Sequence, residues 1–104
     1  MELSIEEKNR QAVERGQAYM LRDDWQPSYS RWRHGGWYVH GITYPSGGCG
    51  CVSNNYADGK WRVVCEGGKY DTLEEFPSYP TREAAAFAER QIAIEQMQAL
   101  VLEV

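Results

Sequence analysis

Between residues 37 and 66 the chain alternates β-prone segments with two tight-turn signals, Pro45-Ser46-Gly47-Gly48 and Asp58-Gly59. That spacing constrains the fold more than any other feature. Segments joined by turns this short pair with their neighbours, which gives an antiparallel meander. The expected strands are residues 37–44, 49–56 and 60–66. They are bracketed by helical sequence. Ser4 followed by Glu7 reads as a capping box, in which hydroxyl and carboxylate satisfy backbone donors at a helix start, and it opens a helix over 4–21. Thr81, just after Pro80, caps a second helix over 81–102, which is rich in strong helix formers. Residues 22–36, broken by Pro27 and Gly35-Gly36, read as an aromatic connector, and residues 67–80 as a loop. The expectation is one α+β domain spanning 1–104: α-β-β-β-α order, a three-stranded meander with the long C-terminal helix packed on one face.

Pairing across the two turns predicts what each face carries. With Tyr56 opposite Trp61, Val52 opposes Cys65. With Tyr44 opposite Cys49, Ile42 opposes Cys51. Alternation then gathers Trp37, Val39, Val52, Tyr56, Trp61, Val63 and Cys65 on one face, a core face. The other face gathers Tyr38, His40, Ile42, Tyr44, Cys49, Cys51, Arg62 and Val64.

Both helices leave a question of burial. In the first, Ile5, Ala12, Val13, Gly16, Tyr19 and Met20 form a thin stripe that needs packing or a partner. In the second, Ala84, Phe87, Ala88, Ile92, Ala99 and Leu102 cluster on one side of a helical wheel. A helix of roughly 22 residues is ~33 Å long, against ~23 Å for a seven-residue strand. The end overhangs the sheet, and Met97, Leu100, Val101 and Val104 are candidate homodimer contacts.

Charge is distributed unevenly. The net charge is −4, yet Arg31, Arg33, Lys60 and Arg62 face only Asp58 within residues 25–65, and the acidic excess lies after residue 66. An acidic total disfavours tight nonspecific binding to phosphate backbones. The N-terminal sequence is polar, and no run is apolar enough to span a bilayer, so a cytoplasmic protein with no membrane partner is expected. Three cysteines without an export signal predict reduced thiols.

Four uses of the sheet region follow. Cys49 and Cys51 with His40 lack a closing fourth ligand, so no metal or other cofactor is expected. A His40–Cys51 pair has no family signature around it, and one domain of this size leaves little room for a substrate cleft, so no catalysis is expected. Arg31, Trp32, Arg33 and Lys60 interleave charge with aromatic rings and are candidate nucleic-acid contacts. The opening of the second helix, Phe76 followed by Thr81-Arg82-Glu83-Ala84-Ala85 after three strands, resembles the integrase arm-binding and AP2-type DNA-binding domains. The α-β-β-β-α order resembles the double-stranded-RNA-binding domain. Both resemblances imply a nucleic-acid ligand, but the acidic run after Arg82 departs from the basic helix start of the RNA-binding family. The favoured reading is a non-catalytic protein-binding, inhibitory or regulatory module using Tyr38, His40, Ile42, Tyr44, Arg62 and Val64. Small acidic, non-catalytic proteins of this size are common among phage and mobile-element accessory proteins, and an accessory role through binding a host protein is expected on that background rather than from these residues.

Overall fold

A computed structural model describes residues 3–64 and 77–102. In chain order the elements are α1 (Ile5–Met20), β1 (Ser28–Arg33), β2 (Gly36–His40), β3 (Gly50–Ser53), β4 (Arg62–Val63) and α2 (Arg82–Leu102). The strands form one antiparallel sheet in the order β1-β2-β3-β4. The fold is α+β as expected, with four strands rather than three. The extra strand lies inside the expected connector. Ser28-Tyr29-Ser30-Arg31-Trp32-Arg33 intersperses two aromatic residues among small and charged ones, and Pro27 and Gly35 mark its two ends. Gly35 takes a positive φ of 72°, the left-handed conformation that a two-residue hairpin turn needs and glycine adopts without strain.

The meander is shifted from its expected register, but by even steps. Trp37 pairs with Val52, and Val52 with Val63. Even shifts preserve faces, so Trp37, Val39, Val52 and Val63 share the α2 side while Tyr38, Cys51 and Arg62 share the other. Asp58-Gly59 is not a two-residue hairpin. Ser53 pairs with Arg62, and within the connection Gly59 N donates to Tyr56 O at 2.9 Å. The expected strand over 37–44 stops at His40, because Gly41 takes φ 89° and turns the chain out of the sheet. Ile42 and Tyr44 therefore escape the alternation and enter the core on the α2 side. Of the loop expected over 67–80, residues 67–76 lie outside the described residues.

α2 packs on β3 and β4. Its buried stripe is Ala85, Ala86, Glu89 and Ala93, while Phe87 stays 41% exposed. The small stripe was chosen over the bulkier one because helix and sheet approach closely at Gly50, where a Cβ would collide with Glu89 Oε1. Glu89 has no exposed surface and accepts a hydrogen bond from Tyr44 Oη at 2.6 Å. Thr81 Oγ1 accepts from Ala84 N at 3.0 Å, the expected cap. The backbones of Trp61 and Tyr79 exchange hydrogen bonds of 2.9 and 2.8 Å, which tie the entry of α2 to the start of β4.

α1 covers neither sheet face. Ser4 Oγ accepts from Glu7 N at 3.1 Å, the hydroxyl half of the expected capping box. The second half of the helix leans on the β2–β3 connection, with Gly16 against Thr43 and Tyr19 against Gly41. Residues 3–10 are exposed, and of the expected stripe only Met20 is fully buried. The last turn of α1 has no base of its own. Instead Arg90 reaches from α2: Nε donates to Met20 O at 2.8 Å and a terminal nitrogen to Arg22 O at 2.9 Å, so two carbonyls at the helix end gain charged donors.

Two outcomes follow. Gly50→Ala is expected to cost about 1–3 kcal/mol through overpacking, and a smaller amount in a Glu89→Ala background, as read by chemical denaturation of the four proteins of the cycle. Arg90→Met retains the aliphatic stem near Trp25 but removes both donors. It is expected to cost about 1–3 kcal/mol and to speed hydrogen exchange in the last turn of α1 more than in α2.

Candidate interaction site on the first hairpin

The β1–β2 hairpin gathers half-buried aromatic side chains, Tyr29, Trp32, Trp37 and Tyr38, with the exposed Arg31 and Arg33. Its geometry starts from an irregularity. Arg31 pairs with Trp37, but Arg33 pairs with Gly36, so β1 carries one residue more than its partner between these points. Such a bulge turns two consecutive side chains to one face. Trp32 and Arg33 both lean over Gly36, where a Cβ would lie 2.9 Å from Trp32 Cε3 and 3.2 Å from Arg33 Cγ. The result is a stack on the face away from α2. The Arg33 guanidinium lies 4.0 Å from the Trp32 ring centroid, and the Trp32 and Tyr38 rings are 5.9 Å apart. Beside them His40 Nε2 lies 2.8 Å from Ser30 Oγ.

The opposite face of the hairpin carries a second stack. Arg31 sits 5.2 Å over Trp37. Arg82, at the start of α2, lies 4.9 Å from Trp37 and 3.8 Å from Tyr29, and it also approaches Glu83 at 3.5 Å. Cation–π contacts of this kind hold the helix start on the sheet. Burial pushes the Tyr29 phenol up, with Glu83 adding to the shift and Arg82 opposing it.

The expected partner face is only partly a surface. Tyr38 is half-buried and His40 exposed, as a binding face requires. Ile42, Tyr44 and Val64 are buried at 2%, 4% and 2% exposure. The turn at Gly41 sends the first two inward, so they are core residues and cannot present a surface. Arg62 is buried at 5% and is spoken for. Its two terminal nitrogens donate to Asp58 Oδ1 and Oδ2 at 2.9 and 2.8 Å, and it stacks 4.8 Å over Tyr56. The cavity lined by Tyr56, Ala57, Asp58 and Arg62 is thus walled by groups that neutralise each other.

The other expected sites separate as well. Arg31, Trp32 and Arg33 lie together on β1. Lys60 is exposed at the same end of the sheet but beside β4, the opposite edge. Of the expected dimer contacts, Met97 is half-buried and Leu100 is 49% exposed, next to a shallow depression lined by Pro45, Ser46, Gln96 and Ala99. The side chains of Val101 and Val104 lie outside the described residues. Cys49 is free and exposed. Cys51 is buried and disulfide-bonded, which corrects the expectation of reduced thiols there: an odd cysteine count argues against a framework of bridges but permits a single one. His40 pairs with Ser30 rather than with Cys51. Cys65, expected in the core, lies outside the described residues. Among the described residues no cluster of three or more His, Cys, Asp or Glu side chains could hold a metal ion, and no helix is long and apolar enough to cross a membrane.

Sequence reasoning missed Tyr29, Ser30 and Arg82 as parts of this region. The β-prone Tyr29 and Trp32, bounded by Pro27 and Gly35-Gly36, are the local signal that could have revealed the first two. Nothing local announces Arg82, which reaches the hairpin through the packing of α2. No protein-family model, no curated protein and no solved structure matches the chain.

The Asp58–Arg62 pair gives a prediction in pH. Arg62 holds the Asp58 carboxyl well below the usual carboxylate range, aided by the Lys60 amide, which donates to Oδ1 at 3.0 Å. A lowered folded-state pKa stabilises the fold above the unfolded value, about 4, and that contribution is lost as pH falls. Asp58→Asn is therefore expected to melt below the parent protein at pH 7. The gap should narrow as pH falls from about 4 toward 2, because the unfolded chain then binds a proton that the folded carboxylate still refuses. Thermal melts of both proteins at the two pH values check this.

Proposed function

We propose that this protein is a non-catalytic binding module that engages another protein through the β1–β2 hairpin and regulates it by occupying its surface. The observation that carries the reading is the stack of Arg33 and Trp32, at the bulge of the terminal strand β1, with Tyr38 of its neighbour β2. Trp, Tyr and Arg dominate interface energetics because they supply large rigid contact area together with donors. The hairpin also holds these rings in place before any partner arrives, which lowers the ordering cost of binding. The same residue types could stack on bases, so nucleic acid is the competing ligand. The acidic remainder of the chain favours protein over a polyphosphate backbone.

The test is capture from an extract of the source cells on immobilised protein, with and without nuclease, using the parent chain, Trp32→Ala and Arg33→Ala. A protein retained by the parent after nuclease treatment, and bound about tenfold more weakly by either variant, supports the reading. Circular dichroism melts verify that both variants are folded. Equal capture by the variants, or retention that vanishes with nuclease and falls steeply with salt, sinks it.

A further inference from the structure

Among the described residues the sheet ends in two terminal strands, β1 and β4, and they differ in what they offer. β4 has two residues and β1 has six. No strand among the described residues lies beyond β1. The ladder identifies the groups on its outer edge. Asn54 N donates to Gly35 O at 2.9 Å, so residues 35, 37 and 39 direct their backbone groups toward β3. Tyr38 and His40 then direct theirs toward Ser30 and Ser28, their partners in β1. By the same alternation the N–H and C=O of Tyr29 and Arg31 point away from β2, along the outer edge. Pro27 precedes this window and the bulge follows it. Both devices end strand pairing, so they leave a docking stretch of residues 28–31.

The charge of this window selects its occupant. Residues 28–40 contain Arg31, Arg33, His34 and His40 and no Asp or Glu. Arg31 is exposed, and no carboxylate among the described residues pairs with it. A second copy of this chain would lay its own arginine-bearing strand alongside, and like charges placed opposite one another are unfavourable. A phosphate backbone offers acceptors only, whereas this edge presents carbonyls as well as amides. An extended polypeptide supplies both.

We propose that the outer edge of β1 receives an extended acidic segment of a partner protein as an added strand. Its backbone pairs with Tyr29 and Arg31, and a carboxylate engages the Arg31 guanidinium. This deepens the hairpin reading and rests on it.

The experiment selects 12-residue peptides from a random display library on the full chain. It then titrates the selected peptides, and separately a 12-nucleotide oligothymidine, into the isotopically labelled protein. Selected peptides are expected to be enriched in Asp and Glu and to slow exchange of the Tyr29 and Arg31 amides at least tenfold. Methylating alternate backbone nitrogens of a selected peptide should abolish binding, and Arg31→Gln should weaken it about tenfold. Selection of no binder, or of binders without acidic enrichment, overturns the proposal. If peptides perturb Trp32 and Tyr38 while the Tyr29 and Arg31 amides stay unchanged, the edge assignment falls and the hairpin reading survives. If oligothymidine binds in their place, both fall. Dimers in sedimentation that are broken by Arg31→Glu would assign the edge to a second copy and likewise overturn the proposal.

Discussion

A carboxylate with no exposed surface fixes how this molecule is assembled. Glu89 sits in the middle of α2, over Gly50 of the central strand β3, and receives the Tyr44 hydroxyl at 2.6 Å. Burying such a group is costly unless it is hydrogen-bonded, so the helix has little freedom to slide or rotate once the bond is made. The absence of a side chain at Gly50 and the alanines at positions 85, 86 and 93 let helix and sheet approach closely enough to enclose it. The remaining long-range contacts follow from that placement. Arg90 comes within reach of the end of α1, Arg82 lands between Tyr29 and Trp37, and Phe87 meets the edge of Trp25 with ring centroids 5.1 Å apart.

The arginines then divide by task. Arg62 and Arg90 are bound to groups of the chain itself, to Asp58 and to the carbonyls ending α1. Arg82 holds the start of α2 on the sheet. Arg31 lies exposed over Trp37, and Arg33 caps a ring stack that the bulge turns outward. A chain with a net charge of −4 therefore carries one local surface free of acids in its own sequence. Among the described residues, that surface coincides with the longer of the two terminal strands of the sheet. Aromatic ring, guanidinium and open backbone coincide there because a single hairpin supplies all three.

Much of the architecture was legible in the residues. Ser4 and Thr81 marked helix starts, and the turn at Pro45–Gly48 was correctly placed. Period-two alternation sorted Trp37, Val39, Val52 and Val63 from Tyr38, Cys51 and Arg62 even though the register moved, because it moved by even steps. The strand over 28–33 is hidden in the sequence because Pro27 and the glycine pair have the character of breakers, whereas here they mark the two ends of a strand. The candidate site was legible in half. Tyr38, His40, Arg31, Trp32 and Arg33 remain at the surface, but Ile42, Tyr44, Arg62 and Val64 do not. One glycine in the left-handed region was enough to invalidate alternation beyond it, since that rule holds only while the chain stays in the strand.

The sequence by itself determined the helix–sheet–helix order, the capped helix starts and the two-faced character of the sheet. These rest on local physics: hydrogen-bond satisfaction at termini, turn conformations, and the side-chain periods of helix and strand. Only the tertiary structure decided which stripe of α2 is buried, that Glu89 lies within it, that Arg90 caps a helix 70 residues away in sequence, and which expected surface residues are core. Those outcomes depend on the distance of closest approach between elements. That distance is set jointly by side chains far apart in the chain, so no local pattern encodes it.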